Sequence, residues 1–219
     1  ALAQLMKRRG GVGVTLEHLR PSTSSVNNSA QSSTGIIPFA ERYSNTTREV
    51  AQDGRRGALM ETLDVRHPDV EDFITAKSEL EKITGANISV KVSNDFMNAV
   101  IQDQDYILRW PVDKEISIND IQAPYNKIVK LEDGTYIKKV KARKIWDKIA
   151  QQAHASAEPG VLFWDNVIKE SPADSYDDEG FKTLGTNPCG EVGLSPFDTC
   201  RLGSLVLLNF VKKPYTENA

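Results

Sequence analysis

Three side chains near the C-terminal end of the sequence carry groups that can do chemistry together: Asn187, Cys189 and Glu191. In an extended or looped backbone, side chains two residues apart face the same way. We therefore expect these three to converge on one small molecule. An amide that orients hydroxyl groups, a thiol that reacts and a carboxylate that moves a proton form a catalytic set. Pro188 stiffens the stretch, and Gly190 lets other atoms approach closely.

The sequence contains two cysteines, Cys189 and Cys200. Taken alone, they could be buried small apolar side chains, or they could form a disulfide with each other. The cysteines alone favour one of these two structural roles; the Asn-x-Cys-x-Glu pattern favours a chemical role only together with the further sequence matches described below. Metal binding is disfavoured because the three histidines, His18, His67 and His154, are scattered and form no short-spaced ligand pair. His67 precedes a proline, which favours a structural turn residue.

The composition is that of an ordinary globular protein. Of 219 residues, 26% are charged and 39% are apolar. The net charge of −3 argues against a general nucleic-acid or membrane-surface binder, which would carry a basic excess. No apolar run approaches the roughly 18–20 residues that a membrane span needs, and the N-terminus does not resemble a signal peptide. Two cysteines are too few for a disulfide-stapled secreted domain, so we expect a cytoplasmic protein.

Predicted strands and helices alternate along the chain, which favours an α/β fold with a largely parallel sheet. Strands are predicted over 12–16, 58–65, 87–92, 106–112, 128–140 and 161–164, and helices over 1–9, 35–52, 69–77, 94–103, 142–157 and 165–169. Asp133-Gly134 predicts a hairpin turn. Residues 20–35 form a polar loop that is long enough to be functional, although a flexible surface excursion explains it too.

The stretch Asn187-Pro188-Cys189-Gly190-Glu191 resembles the active-site finger loop of ribonucleotide reductase catalytic chains. Further stretches that resemble this family follow the same order and cover nearly the whole chain: Gly10-Gly11-Val12-Gly13-Val14, Gly57-Ala58-Leu59-Met60, Asn87-Ile88-Ser89-Val90 and the segment 158–165. The resemblance implies a ten-stranded α/β barrel with the cysteine loop threaded through its middle. Residues 1–219 would form its first half, with five or six barrel strands, as part of a longer polypeptide.

The resemblance also implies an activity, the reduction of ribonucleoside diphosphates to 2′-deoxyribonucleoside diphosphates. Cys189, as a thiyl radical, would take hydrogen from the ribose 3′ carbon. Glu191 would accept the 3′-hydroxyl proton, and Asn187 would hold the ribose hydroxyls. Cys200 matches one member of a redox pair whose partner would lie upstream, and a thioredoxin-type protein would reduce the pair.

Glycines and the loop proline are the implied substrate contacts. Gly10 and Gly11 match the glycine-containing entry strand, where backbone groups approach the ribonucleotide, and Pro188 belongs to the finger loop. From the residues alone, a helix C-cap followed by a turn explains the Gly10-Gly11 pair equally well.

Two loops correspond to the family's regulatory loops, which bind a dNTP or ATP effector. Arg20 matches a position near the effector phosphate, where an arginine fork suits phosphate geometry. The second loop, residues 79–86, contributes Lys82, Thr84 and Gly85. The helix over 35–52 matches one used in homodimer contact.

The short gap between Cys189 and Cys200 resembles the adenosylcobalamin-dependent members. Members that take their radical from a separate iron- or manganese-containing subunit look similar here. The glycyl-radical class is disfavoured because its finger loop lacks the glutamate found at Glu191. Two other hypotheses stay open: a nucleotide-binding module without chemistry, and an inactive truncated chain. We expect no turnover from the 219 residues alone.

Overall fold

The computed structural model describes residues 1–50, 54, 57–78, 82–116, 123–201 and 203–212. The helices are α1 (Leu2–Lys7), α2 (Ile37–Glu49), α3 (Val70–Thr75), α4 (Asn94–Ile101), α5 (Ala142–Ser156) and α6 (Trp164–Glu170). The strands are β1 (Val12–Thr15), β2 (Leu59–Asp64), β3 (Asn87–Val92), β4 (Asp105–Trp110), β5 (Val129–Lys130), β6 (Tyr136–Lys141), β7 (Gly160–Phe163), β8 (Gly185–Thr186) and β9 (Gly193–Leu194). Two 3-10 helices span Ala173–Glu179 and Leu207–Phe210.

Four strands form a parallel sheet in the order β1-β2-β3-β7. The register places Val12 opposite Leu59, and Val90 opposite Val161. Parallel neighbours require crossover connections, and helices supply them: α2 between β1 and β2, α3 between β2 and β3, and α5 before β7. The prediction of an α/β fold with a parallel sheet is confirmed.

The predicted strands over 106–112 and 128–140 do not join the parallel sheet. They form a separate antiparallel sheet in the order β4-β6-β5, and the predicted turn lies between β5 and β6, with Gly134 at φ +87°. The expected five or six barrel strands are therefore four in the described part of the chain. Lysines explain the separation, since Lys138 pairs with Glu71 and Lys139 with Asp105 at the surface of this sheet. Such a pattern does not suit a strand that is buried on both faces.

The hydrophobic core lies between one face of the parallel sheet and the helices. Phe73 of α3 and Phe96 of α4 are fully buried in it, with Ile145 of α5 at 1% exposure. Phe96 also meets Tyr106 edge to face, with ring centroids 5.2 Å apart. The helices thus cover one face of the sheet and leave the other face for a second layer.

His67 has a structural role. Its ring is buried, Nδ1 accepts the N–H of Asp69 at 3.1 Å, and Nε2 donates to the Leu19 carbonyl at 3.0 Å. Burial lowers the pKa of His67, which fits a neutral ring. The prediction of a structural turn residue is confirmed.

The helix predicted over 35–52 is α2, which ends at Glu49; Val50 is already extended, and residues 51 and 52 lie outside the described residues.

Large apolar side chains are exposed in the described part of the C-terminal segment, among them Leu205, Leu207 and Phe210. Among the helices that the structure describes, none has the length and apolar character to cross a bilayer.

Candidate active site

The two faces of the parallel sheet differ in chemical character. Side chains alternate between the faces along each strand, and the face against the helices is apolar, with Val14, Leu63 and Val90 packed in the core. We call the opposite face the inner face. It carries Gly11, Gly13, Thr15, Met60, Thr62, Asp64, Ser89 and Lys91. Parallel sheets are usually apolar on both faces, so this polar surface marks a candidate site.

A short hairpin lies over the inner face. Strand β8 pairs with β9 in antiparallel fashion, with Gly185 opposite Leu194, and residues 187–192 form the tip. From β3, the Asn87 side-chain amide donates to the Pro188 carbonyl at 3.4 Å. All the predicted catalytic residues except Cys200 therefore lie on a hairpin that is docked on the sheet.

Two glycines at the first strand let the hairpin approach. A Cβ on Gly11 would lie 2.5 Å from Cγ of Pro188, and a Cβ on Gly13 would collide with the Thr186 carbonyl oxygen. No other residue fits at either position unless the hairpin moves. The structure thus makes Gly11 and Pro188, both predicted to contact substrate, direct neighbours.

Gly10 has a different place. It donates its N–H to the Leu5 carbonyl at 3.0 Å, after Arg9 has taken a φ of +66°. It therefore caps the C-terminal end of α1, as the alternative explanation of the glycine pair held. The structure does not bring Gly10 to the hairpin.

The tip of the hairpin is a tight turn. The N–H of Gly190 donates to the Asn187 carbonyl at 3.1 Å, and Gly190 has a φ of +85°. The side chain of Asn187 supports the same turn, since its Oδ1 accepts the N–H groups of Gly190 and Val192 at 3.2 Å each. Because the backbone is not extended here, the i, i+2, i+4 spacing does not by itself align the three side chains. The Asn187 amide sets the shape of the loop.

The amide nitrogen of Asn187 is left to donate away from the turn. It lies 3.6 Å from Sγ of Cys200, so the structure brings two predicted catalytic residues together. Asn187 is 5% exposed and Cys200 is half-buried. Both Cys189 and Cys200 are free thiols, so they do not form the disulfide that the sequence left open.

Cys189 and Glu191 lie exposed on the tip. Within the described residues, neither side chain makes a hydrogen bond or ion pair. Exposure leaves the thiol and the carboxylate open to a small molecule, and it excludes the alternative in which Cys189 is a buried apolar group. Convergence of both groups with Asn187 on one ligand stays a prediction.

Two residues at this site were not predicted from the sequence. The Thr186 hydroxyl is buried beside Asn187 and has no hydrogen-bond partner in the described part of the chain. Lys91 is buried under the base of the hairpin. A lysine inside the apolar strand Asn87–Val92 was a usable signal, whereas the burial of Thr186 depends on how the hairpin docks.

Glu61 is a buried carboxyl group on the helix side of β2. It is 0% exposed, and neither oxygen has a hydrogen-bond partner among the residues described. Burial raises the pKa of Glu61 to about 9, although the positive charge of Lys77 acts to lower it. Glu61 is therefore neutral at pH 7, and it lies on the face opposite the hairpin.

The long loop that contains Arg20 is held at both ends by one carboxylate. Asp69 accepts the N–H of Ser22 at 2.9 Å and the N–H of Ile36 at 3.3 Å. Within the loop, Arg20 donates to the Ser25 carbonyl at 2.9 Å. The hydroxyl of Tyr136, in β6, accepts the N–H of Ser25 at 2.8 Å. The loop is therefore anchored, and the exposed Arg20 side chain lies along it.

The second predicted effector segment packs against α2. The N–H of Gly85 donates to Oγ of Ser44 at 2.8 Å, and Arg48 donates to the Thr84 hydroxyl at 2.9 Å. Lys82 is half-buried, and residues 79–81 of the same loop lie outside the described residues. In the described part of the chain no hydrogen bond joins Arg20 to Thr84 or Gly85.

Comparison with known proteins identifies the family. Residues 1–219 match the model of the ribonucleotide reductase barrel domain. The chain is 35% identical over 211 residues to a vitamin B12-dependent ribonucleoside-diphosphate reductase of Thermoplasma acidophilum, with 95% of this chain and 24% of that protein covered. It is 32% identical to the enzyme of the same name from Mycobacterium tuberculosis, with 94% of this chain and 26% of that protein covered.

A more distant relative is the ribonucleoside-diphosphate reductase large subunit of Caenorhabditis elegans. Identity is 26% over 219 residues, with 95% of this chain and 28% of that protein covered. The chain thus spans about a quarter of the length of the curated relatives it matches.

Proposed function

Because this chain belongs to the ribonucleotide reductase family, through its barrel domain, we propose that it carries the active-site hairpin of a ribonucleoside-diphosphate reductase. The whole protein reduces ribonucleoside diphosphates to 2′-deoxyribonucleoside diphosphates for DNA synthesis. One observation carries the proposal: a hairpin with an exposed thiol and carboxylate docks on a polar sheet face, where Gly13 admits the Thr186 carbonyl.

In the proposed reaction, Cys189 acts as a thiyl radical that takes a hydrogen atom from the ribose 3′ carbon and returns it at the end of the cycle, which restores the radical. Glu191 accepts the 3′-hydroxyl proton, which assists loss of the 2′-hydroxyl as water. Asn187 donates from Nδ2 to a ribose hydroxyl. Its Oδ1 already accepts two N–H groups of the turn, so Nδ2 is the atom that remains for the substrate. Cys200 and an upstream cysteine supply two electrons and become a disulfide, which a thioredoxin-type protein reduces.

For the radical source we favour adenosylcobalamin, which supplies the radical when it is bound. The names of the Thermoplasma and Mycobacterium relatives support this choice. A separate metal-containing subunit is the alternative, supported by the relative that is named a large subunit. Cys189 is exposed, so its thiol is accessible to a radical source that lies outside the described residues.

The regulatory part of the proposal concerns two loops and one helix. Arg20, on an anchored loop, binds a phosphate of a dNTP or ATP effector, and Lys82, Thr84 and Gly85 connect effector and substrate. Thr84 and Gly85 already contact α2, which supports a link between this loop and the helix. The segment 35–52, which includes α2, forms the homodimer contact, and the exposed Phe39 is a suitable apolar residue for it.

The architectural part of the proposal is that residues 1–219 form the first half of a ten-stranded barrel in a cytoplasmic enzyme. The four parallel strands support it, as do the exposed Leu205, Leu207 and Phe210, since apolar segments of this kind usually pack on another surface. The 219 residues alone are then inactive.

The test is turnover by the full-length protein. It is incubated with a ribonucleoside diphosphate and a dithiol reductant, with and without adenosylcobalamin. We expect 2′-deoxyribonucleoside diphosphate only when adenosylcobalamin is present. Product that requires a second, metal-containing subunit would select the alternative radical source. No product either with adenosylcobalamin or with a metal-containing subunit would contradict the proposed function.

A further inference from the structure

Lys91 is a charged residue in the interior of the protein. Its side chain is 2% exposed and points to the inner face from the middle of the sheet. Removal of an ammonium group from water is costly unless its protons find acceptors and its charge finds a partner. The contacts of Lys91 therefore indicate which parts of the structure the buried ammonium group holds together.

The three protons of the ammonium group have three acceptors. Nζ donates to Oγ1 of Thr15 at 3.1 Å, to Oε1 of Glu17 at 2.6 Å and to the carbonyl oxygen of Leu184 at 2.7 Å. The ring of Trp164 lies 4.3 Å from Nζ and completes the enclosure. The hydrogen-bonding capacity of the group is fully used.

These acceptors belong to different layers. Thr15 and Glu17 lie in and just after β1, so those contacts join two strands of the sheet. Leu184 belongs to the hairpin, because its N–H donates to the Leu194 carbonyl at 3.0 Å, immediately before the β8–β9 pair. One ammonium group thus holds the sheet and the base of the hairpin together.

The other contacts between hairpin and sheet are weaker or less directional. Gly11 and Gly13 provide space, and the Asn87–Pro188 hydrogen bond is long at 3.4 Å. Of the hydrogen bonds between sheet and hairpin in the described part of the chain, the Lys91–Leu184 bond is the one with a charged donor, and such bonds are about twice as strong as neutral ones.

We propose that Lys91 is a positioning residue, which fixes the base of the hairpin over β1 and β3 and thereby sets where Cys189 lies. Its effect on turnover rests on the proposed function. Its effect on the hairpin does not, so the two can fail separately.

The test compares two pairs of substitutions in the full-length protein by hydrogen–deuterium exchange. Lys91→Met with Glu17→Gln removes the ammonium group and leaves no unpaired buried carboxylate. The matched control is Lys77→Met with Glu158→Gln. Lys77 also donates to a backbone carbonyl, that of Ala86 at 2.7 Å, and pairs with a glutamate, but it lies on the helix side.

We expect exchange of the Leu184 and Asn187 amides to rise about tenfold or more in the Lys91 pair, because a charge-assisted bond is lost. The same amides should exchange as in wild type in the Lys77 pair. Turnover should fall in the Lys91 pair with effector affinity unchanged. Equal exchange of these amides in both pairs, or no rise in the Lys91 pair, would overturn the proposal.

A measurement on the unmodified protein covers the case in which the Lys91 pair does not fold. A scalar coupling through the hydrogen bond, between Nζ of Lys91 and the carbonyl carbon of Leu184, should be detectable by NMR. Its absence, with the Nζ protons exchanging as fast as those of the exposed Lys144, would overturn the proposal as well.

Discussion

The carbonyl oxygen of Thr186 occupies the place where a side chain on Gly13 would begin. Gly13 lies in β1 and Thr186 in β8, so this contact fixes how closely the hairpin approaches the sheet. The distance between the sheet and the Cys189 thiol therefore depends on the absence of one methyl group.

A methyl group at Gly13 should displace the hairpin. We expect Gly13→Ala to lower the free energy of unfolding by about 1–3 kcal/mol, the usual range for overpacking. Chemical denaturation measures the effect. Gly185→Ala is the matched control in the hairpin itself, since a Cβ there meets no atom within 4 Å. Equal effects of the two substitutions would refute the contact.

Asn187 has a structural role in the turn and a proposed chemical role, and two substitutions separate them. Asn187→Asp keeps an oxygen that can accept the Gly190 and Val192 N–H groups but removes the amide donor. Asn187→Ala removes both. We expect exchange of these two amides to stay near wild type in the aspartate variant and to rise about tenfold in the alanine variant. Turnover should fall in both variants. Wild-type turnover in the aspartate variant would remove Nδ2 from the mechanism.

Glu61 should make stability depend on pH. Its folded pKa, about 9, lies above the ordinary value of 4.5, so the folded state keeps a proton that the unfolded state releases. The contribution of Glu61 to stability is then greatest below about pH 4.5 and falls as the pH rises towards about 9. We expect Glu61→Gln to remove this slope and to stabilise the protein by about 3 kcal/mol at pH 7.

Denaturant unfolding between pH 5 and pH 9 measures the Glu61 effect. Glu132→Gln, at an exposed position before the β5–β6 turn, is the control and should leave the pH dependence as in wild type. If the stability of the wild-type protein and that of the Glu61→Gln variant changed with pH in the same way across this interval, the burial of a neutral carboxyl group would be disproved.

Arg20 should contribute to effector affinity. A charged hydrogen bond contributes about 1.5–3 kcal/mol, so Arg20→Ala should weaken binding of a deoxynucleoside triphosphate about tenfold or more. Calorimetry with dATP on the full-length protein measures the change. Arg143→Ala, which removes an exposed arginine from α5, should leave the affinity as it is. If both variants bind dATP as wild type does, Arg20 is not an effector ligand.

Local patterns were sufficient for most elements of the fold. Strand β3 spans Asn87–Val92, as predicted, because its alternation is a property of neighbouring residues. The lysines of β6 were a usable signal against a buried parallel strand, but the pairing partners of β4–β6 depend on contacts between residues far apart in the sequence, such as Lys138 and Glu71.

The site was predictable in its residue types but not in its geometry. The Asn-x-Cys-x-Glu pattern located the hairpin, and the structure makes Gly11 and Pro188, both predicted to contact substrate, neighbours. The turn at the tip was missed because the Asn187 side chain bonds to the backbone of its own loop. Lys91 was missed because its acceptors come from two segments far away in the sequence, near Thr15 and at Leu184.

The central claim is that the sulfur of Cys189 takes hydrogen from the ribose. Its most direct test is turnover of the full-length Cys189→Ser protein, with ribonucleotide and effector affinities measured alongside. A serine hydroxyl keeps the size of the side chain but cannot form an equivalent radical. We predict that deoxyribonucleotide formation falls to background while both affinities stay at wild-type values. Deoxyribonucleotide formation at a rate comparable to wild type would contradict the account.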